Sequence, residues 1–201
     1  MSVARWWAVL LLALLLPVAQ AATPWRTEEG SELRFRATQA GARFEGRFAD
    51  FDASIVFDER DLAGSRFDVT ITLASTDTRD ADRDGVLKGP DFFHVGRYPQ
   101  ARFVATKFRR TGTGYVADGE LTLRGVTRPV AVGFTLARSG SGATLTGSAL
   151  LRRLDFGVGQ GEWRSTDSVG NEVEVLFTLK LSRAGKKVTR NAARPGPAAR
   201  G

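Results

Sequence analysis

The chain has no cysteine, a single histidine and a single methionine among its 201 residues. Without cysteine there is no disulfide and no thiolate chemistry, so the folded state rests on its core. The one histidine, His94, cannot build a multi-histidine metal centre. Neither serine nor cysteine stands near it at the spacing of a nucleophile–base pair, which leaves a loop or rim side chain as its plain reading. Beyond residue 21 no apolar run is long enough to cross a ~30 Å bilayer core, and no helix-period pattern of useful length appears. What the chain does have is thirteen phenylalanines, 22 glycines and repeated period-two alternation.

The two ends differ from the rest. Arg5, the apolar run Trp6–Leu16, Pro17 and the Ala19-Gln-Ala21 triplet have the layout of a cleavable export signal. Residues 1–21 are therefore expected to be a signal peptide and the mature chain to start at Ala22, in the periplasm. The formal net charge is +7. Arg5 belongs to the signal, and Lys186, Lys187, Arg190, Arg194 and Arg200 lie in residues 184–201, where there is no acid. Residues 22–183 are left with only +1. The basicity belongs to a tail rich in Ala, Pro, Gly and Arg, expected to be disordered, and a nucleic-acid face on the domain is not expected. Residues 22–183 make one domain, long enough for a sizeable core.

Within that domain apolar residues alternate with polar ones again and again. Leu33 and Phe35 alternate with Glu32, Arg34 and Arg36; Phe44, Gly46 and Phe48 with Arg43, Glu45 and Arg47. Phe67, Val69, Ile71 and Leu73 form a long clean run, as do Tyr115, Ala117, Gly119, Leu121 and Leu123. The pattern continues through Val130, Val132, Phe134 and Leu136, then Leu145, Gly147, Ala149 and Leu151, and ends on Val173, Val175, Phe177, Leu179 and Leu181. Gly112-Thr-Gly114 and Ser139-Gly-Ser-Gly142 read as hairpin connections. Eight or nine strands with one apolar face and short antiparallel links fit a sandwich or an up-and-down barrel, and alternation alone does not separate the two.

Two stretches interrupt the strands. Thr76–Tyr98 is long enough to be a lid, with a short helix expected near Asp84–Lys88 and a turn at Pro90–Phe93. Gly157–Asn171 is glycine-rich, with Trp163 in its middle. In the first, Asp80, Asp82, Asp84, Gly85 and Asp91 copy the spacing of an EF-hand calcium loop. Asp in place of the final Glu, Lys88 at a ligand position, Pro90 and the lack of flanking helices argue against calcium, and no metal is expected.

Three segments resemble a known family. Lys88-Gly-Pro-Asp-Phe-Phe-His-Val-Gly-Arg-Tyr-Pro-Gln-Ala-Arg-Phe103, Asp118-Gly-Glu-Leu-Thr-Leu-Arg-Gly-Val-Thr-Arg-Pro129 and Arg153-Leu-Asp-Phe-Gly-Val158 are similar to stretches of the YceI-like periplasmic, lipocalin-like proteins that bind polyisoprenoid lipids. The resemblance spans roughly Trp25 to Leu181. It implies an all-β fold, an eight-stranded antiparallel lipocalin-like barrel with one or two short helices in the connections. It also implies an isoprenoid lipid or quinone as the bound partner. Gly159-Gln-Gly-Glu-Trp163 resembles a subgroup associated with membrane cytochrome b561-type proteins, which makes such a protein an alternative partner. Edge-strand pairing offers a route to a homodimer.

An eight-stranded barrel is about the size that holds one small ligand. Aromatics on the inward faces either fill the core or wall a cavity. The small residues Gly46, Ala105, Ala117, Gly119, Gly147 and Ala149 on the same faces favour the cavity. The expected ligand-binding residues are Phe35, Phe44, Phe48, Phe67, Ile71, Phe92, Phe93, His94, Phe103, Leu121, Phe134, Arg153, Phe156 and Trp163. No catalytic residue and no cofactor is expected. The competing enzyme reading would place Asp91, His94, Arg153 and Asp155 around the pocket. Arg152, Arg153 and Asp155 are otherwise expected to form a salt bridge that closes the barrel.

Overall fold

Among the described residues eleven strands, laid down as a meander, close into one barrel. The computed structural model describes residues 24–183; the expected signal peptide and the expected disordered tail lie outside the described residues. The strands are β1 (Trp25–Thr27), β2 (Glu32–Gln39), β3 (Ala42–Phe48), β4 (Phe51–Asp58), β5 (Asp61–Thr72), β6 (Thr76–Asp77), β7 (Gln100–Arg110), β8 (Tyr115–Leu123), β9 (Val126–Ser139), β10 (Gly142–Arg152) and β11 (Glu172–Arg183). One helix, α1 (Ala81–Lys88), joins β6 to β7.

Eleven segments make eight staves because some staves are broken. β11 pairs with β2 through Glu174–Thr178 and with β1 through Leu181–Arg183, so β1 and β2 are one stave interrupted at Glu28–Ser31. β3 and β4 continue each other in the same way, β3 against β2 and β4 against β1. β6 extends the line of β5 after a 3-10 turn at Leu73–Ser75 and pairs with Arg47 and Phe48. The ring runs β1/β2, β3/β4, β5/β6, β7, β8, β9, β10, β11 and back to β1/β2, every contact antiparallel. Closure satisfies backbone groups that an open sheet would leave at its edges.

The helix starts three residues before the expected point. Asp80 caps it by accepting from the Arg83 backbone N–H at 3.0 Å and also pairs with the Arg83 guanidinium at 2.8 Å. Asp84 accepts from the Thr78 N–H and hydroxyl at 2.8 and 2.7 Å. The acidic run that copied calcium-loop spacing thus serves a helix start and the turn before it.

The two ends of the barrel are packed differently. At the end bearing the β4–β5, β7–β8 and β9–β10 hairpins, Phe57, Phe67, Phe108, Tyr115 and Phe134 form a solid plug, with centroids 4.9–6.3 Å apart. The Tyr115 hydroxyl leaves the plug to donate to Glu59 at 2.9 Å. Burial, followed by that bond, raises its pKa. The opposite end carries the 73–99 and 153–171 connections, and there the interior is not filled.

Candidate functional site

The unfilled end holds a cavity of about 190 Å³. Strands from all around the barrel contribute, because inward residues alternate along each. Phe35, Phe48, Phe51, Ile71, Phe103, Leu121, Ala149, Val175 and Phe177 line it from the wall, and Phe67 borders it on the plug side. Leu87 from α1, Phe92 and Phe93 from the turn after it, and Phe156, Val158 and Val169 from the second connection complete it at the mouth. Every lining side chain is apolar except Arg153, and the cavity wall exposes no polar atom.

The two long connections form one cover. Backbone N–H groups of Gly159 and Gln160 both donate to the Asp91 carbonyl at 2.8 Å. Phe92 meets Trp163 edge-on. The cover is tied to the hairpins beneath it: Arg124 donates to the Pro90 carbonyl at 2.7 Å, and Gly170 N–H to the Thr38 carbonyl at 2.9 Å. Arg124 sits at φ 51° beside Gly125 at φ 76° in the two-residue β8–β9 turn, a left-handed pair that matches strand twist. A side chain at Gly125 would strike Tyr98.

Arg153 does not form the expected salt bridge. It is 4% exposed, and no carboxylate lies within salt-bridge range of it among the described residues. Its guanidinium donates to four backbone carbonyls instead: Gly170 at 3.0 Å from Nε, Val158 at 2.9 Å from Nη1, and Ser165 and Val169 at 3.3 and 2.7 Å from Nη2. Burial pushes its pKa below the ordinary arginine value, though an arginine keeps its proton at neutral pH. Its role is mechanical. It gathers the 157–170 segment over the mouth and shows the cavity only the apolar part of its stem.

The glycines also differ from expectation. A Cβ at Gly46 would collide with the Phe35 ring; at Gly119 it would lie 2.7 Å from the Phe103 ring, and at Gly147 it would collide with the Phe177 ring. Those positions seat phenylalanine rings rather than open space. Ala105 and Ala117, both 0% exposed, belong to the plugged region. Of the six small residues only Ala149 borders the cavity.

Eleven of the fourteen expected ligand-binding residues line the cavity: Phe35, Phe44, Phe48, Phe67, Ile71, Phe92, Phe93, Phe103, Leu121, Arg153 and Phe156. Phe134 is in the plug. Trp163 lies one layer out, behind Phe92. His94 lies on the cover at φ 51°, its ring against Tyr98 at 5.8 Å. Of Asp91, His94, Arg153 and Asp155 only Arg153 reaches the cavity, so these four do not converge on it. The row Val173, Val175, Phe177 and Leu179 was legible as an inward face but not singled out as part of a site.

A model of the YceI-like domain matches residues 25–181. A UPF0312 protein of Yersinia enterocolitica is 42% identical over 147 residues, 69% of this chain and 73% of that protein. One of Photorhabdus laumondii is 44% identical over 95 residues, which span only half of its length and 47% of this chain. Among solved structures, Burkholderia cenocepacia BcnA superposes with a TM-score of 0.72 at 34% identity, covering 75% of this chain and 95% of BcnA. A Saccharophagus degradans domain described as polyisoprenoid binding shares the fold, with a TM-score of 0.61 at 16% identity, covering 81% of this chain and 99% of that domain.

Proposed function

The chain belongs to the YceI-like family, and from that premise we propose that it binds a long-chain isoprenoid lipid, a polyprenyl chain or quinone tail, and carries or sequesters it in the periplasm. The observation that carries the reading is the cavity: lined by aromatic and aliphatic side chains, without an exposed polar atom. Such a wall offers a hydrocarbon everything it needs and a polar ligand nothing. The fold shared with a domain described as polyisoprenoid binding supports the same reading.

Affinity would come from area. At about 0.8 kcal/mol per buried CH₂, a five-carbon unit gains roughly 4 kcal/mol before ordering costs. The present volume is below the ~300–1,000 Å³ of ordinary small-molecule sites. A long chain therefore needs the rings that crowd the mouth to turn aside. Phe48 stands 5.4 Å from Phe35 and 6.0 Å from Phe93, a row of rings along the cavity whose turning would lengthen it.

Native mass spectrometry with lipid extraction on the protein purified from its own cells tests this. The expected result is a stoichiometric isoprenoid or quinone. A protein that carries no lipid and takes up no added polyprenyl chain would mean that the aromatic faces are simply a core.

A further inference from the structure

The side wall of the barrel is split near the mouth. β9 and β10 pair from Ser139 and Gly142 as far as Gly133 and Ser148, although β9 begins at Val126 and β10 runs on to Arg152. Among the described residues Val126–Val132 pair only with β8, and Ala149–Arg152 only with β11. The inner side chains of the two lips, Val130 and Val132 on β9 and Ala149 and Leu151 on β10, line the cavity. The split therefore leads from the cavity to the outside.

One turn stands in it. The 3-10 turn Arg153–Phe156 packs beside β9 and puts the Phe156 ring, 3% exposed, into the cavity wall. On the β11 side Asn171 accepts from the Arg153 and Leu154 backbone N–H groups at 2.9 and 3.1 Å. On the β9 side a single bond holds the turn among the described residues, from Nε of exposed Arg128 to the Asp155 carbonyl at 3.4 Å. The cover over the mouth is tied more firmly, through the Asp91, Pro90 and Thr38 carbonyls and the Arg153 guanidinium. The split is the least bonded closure of the cavity.

Its lips also suit a hydrocarbon. Pro129–Val132 and Ser148–Leu151 carry no charge, and outward-facing Leu150, at 63%, is the most exposed large hydrophobic side chain among the described residues. Another unpaired run, Ala42–Gly46 on the side of β3 away from β2, differs. Arg34, Arg47, Arg79 and Arg83 line the depression beside it, and Arg83 bridges it by donating to Gln39 and lying over the Phe44 ring. A hydrocarbon crossing there would strip water from guanidinium groups; between the β9 and β10 lips there is no charge to strip.

Building on the lipid-binding reading, we propose that the β9–β10 split is the doorway of the cavity. The lipid chain passes sideways between the two strands when the Arg153–Phe156 turn swings out, and the Phe156 ring is the stopper. The turn begins the connection that Trp163 pins to Phe92, so stopper and cover belong to one moving piece.

The chain has no cysteine of its own, which makes a cross-link clean to place. Ala131→Cys and Leu150→Cys, the first outward positions past the last ladder pair, are joined by a short bis-maleimide after the full chain has been loaded with a labelled polyprenol. Transfer of the label to phosphatidylcholine vesicles is then followed. Cross-linking is expected to slow transfer by about ten-fold or more relative to the same variant before cross-linking. The same cross-link between Thr135→Cys and Thr146→Cys, which face each other in the intact ladder, is expected to leave the rate unchanged. Undiminished transfer with the split cross-linked, or equal slowing by both cross-links, would overturn the doorway while leaving lipid binding standing. A protein that takes up no polyprenol would overturn the lipid reading itself, and this proposal with it.

Discussion

The Phe92 ring and the Trp163 indole meet at 5.5 Å and 60° across the seam between the two connections that cover the cavity. Phe92 lines the cavity and Trp163 does not, so the contact couples the cover to whatever lies beneath it. An edge-to-face pair contributes about 0.5–1.5 kcal/mol beyond the area it buries. Trp163→Ala should loosen the seam without touching the barrel. Exchange of a bound polyprenol should speed up by roughly ten-fold, with melting temperature lowered only slightly. Unchanged exchange would mean that lipid passes elsewhere.

Arg153 is expected to be the most sensitive polar position. Arg153→Met keeps the stem and removes four hydrogen bonds, two of them to carbonyls of the buried Val158 and Val169, and buried carbonyls left without a donor cost about 1–3 kcal/mol each. The loss in denaturant unfolding should be roughly 3 kcal/mol or more. Arg153→Lys should recover little of it, since one ammonium cannot span four carbonyls on opposite sides of the side chain.

Gly119→Ala tests the seating of rings on glycine. Its Cβ would lie 2.5 Å from the Val104 carbonyl oxygen, 2.7 Å from the Phe103 ring and 2.8 Å from the Ala105 methyl. Backbone cannot step aside, so a loss of about 1–3 kcal/mol is expected, as for other overpacked sites. Gly112→Ala, with nothing within 4 Å, should be close to neutral by the same unfolding measurement.

Asp68 supplies a pH dependence. It accepts from Arg102 at 2.8 and 2.7 Å and from Arg66 at 3.1 Å. The hydrogen bond from Arg102 is the largest cause holding its pKa below the usual carboxylate range; burial opposes it, and the hydrogen bond from Arg66 and the charges of both arginines add to the lowering. Because the folded-state value lies below the unfolded one, the contribution is complete above the ordinary aspartate pKa of about 3.9 and is lost as pH falls through the folded value. Asp68→Asn should lower the melting temperature at neutral pH by at most a few degrees, the scale of a partly exposed ion pair. The difference from the unmodified protein should shrink as the pH falls through the folded-state value of Asp68.

Much of this was legible in the chain before the fold was known, because closure of a small barrel preserves period two. Phe67, Val69 and Ile71, or Leu121 and Leu123, point where alternation puts them. The pattern misleads where backbone irregularities intervene. A register shift between Ala105 and Lys107 turns Phe108 inward to the plug, where strict alternation would have put Lys107. The interruption at Glu28–Ser31 splits one stave in two with no sign in the alternation. Arg153 was placed at the cavity, but its partners were misread. Backbone carbonyls of a distant loop leave no trace in side-chain spacing, whereas the nearby Asp155 invites a pairing that the structure does not make. The glycines were misread because a missing side chain signals close approach as readily as empty space.

The most direct test of the central claim is to fill the cavity from its own wall. Ala149→Trp, opposite Val175 on β11, would project a large ring into the space while leaving the cover residues unchanged. Native mass spectrometry of this variant, purified alongside the unmodified protein and checked for a cooperative melt, should show a folded barrel that has lost its isoprenoid. A folded variant that retains the lipid at full stoichiometry would contradict the account, because the chain would then lie somewhere other than the barrel interior.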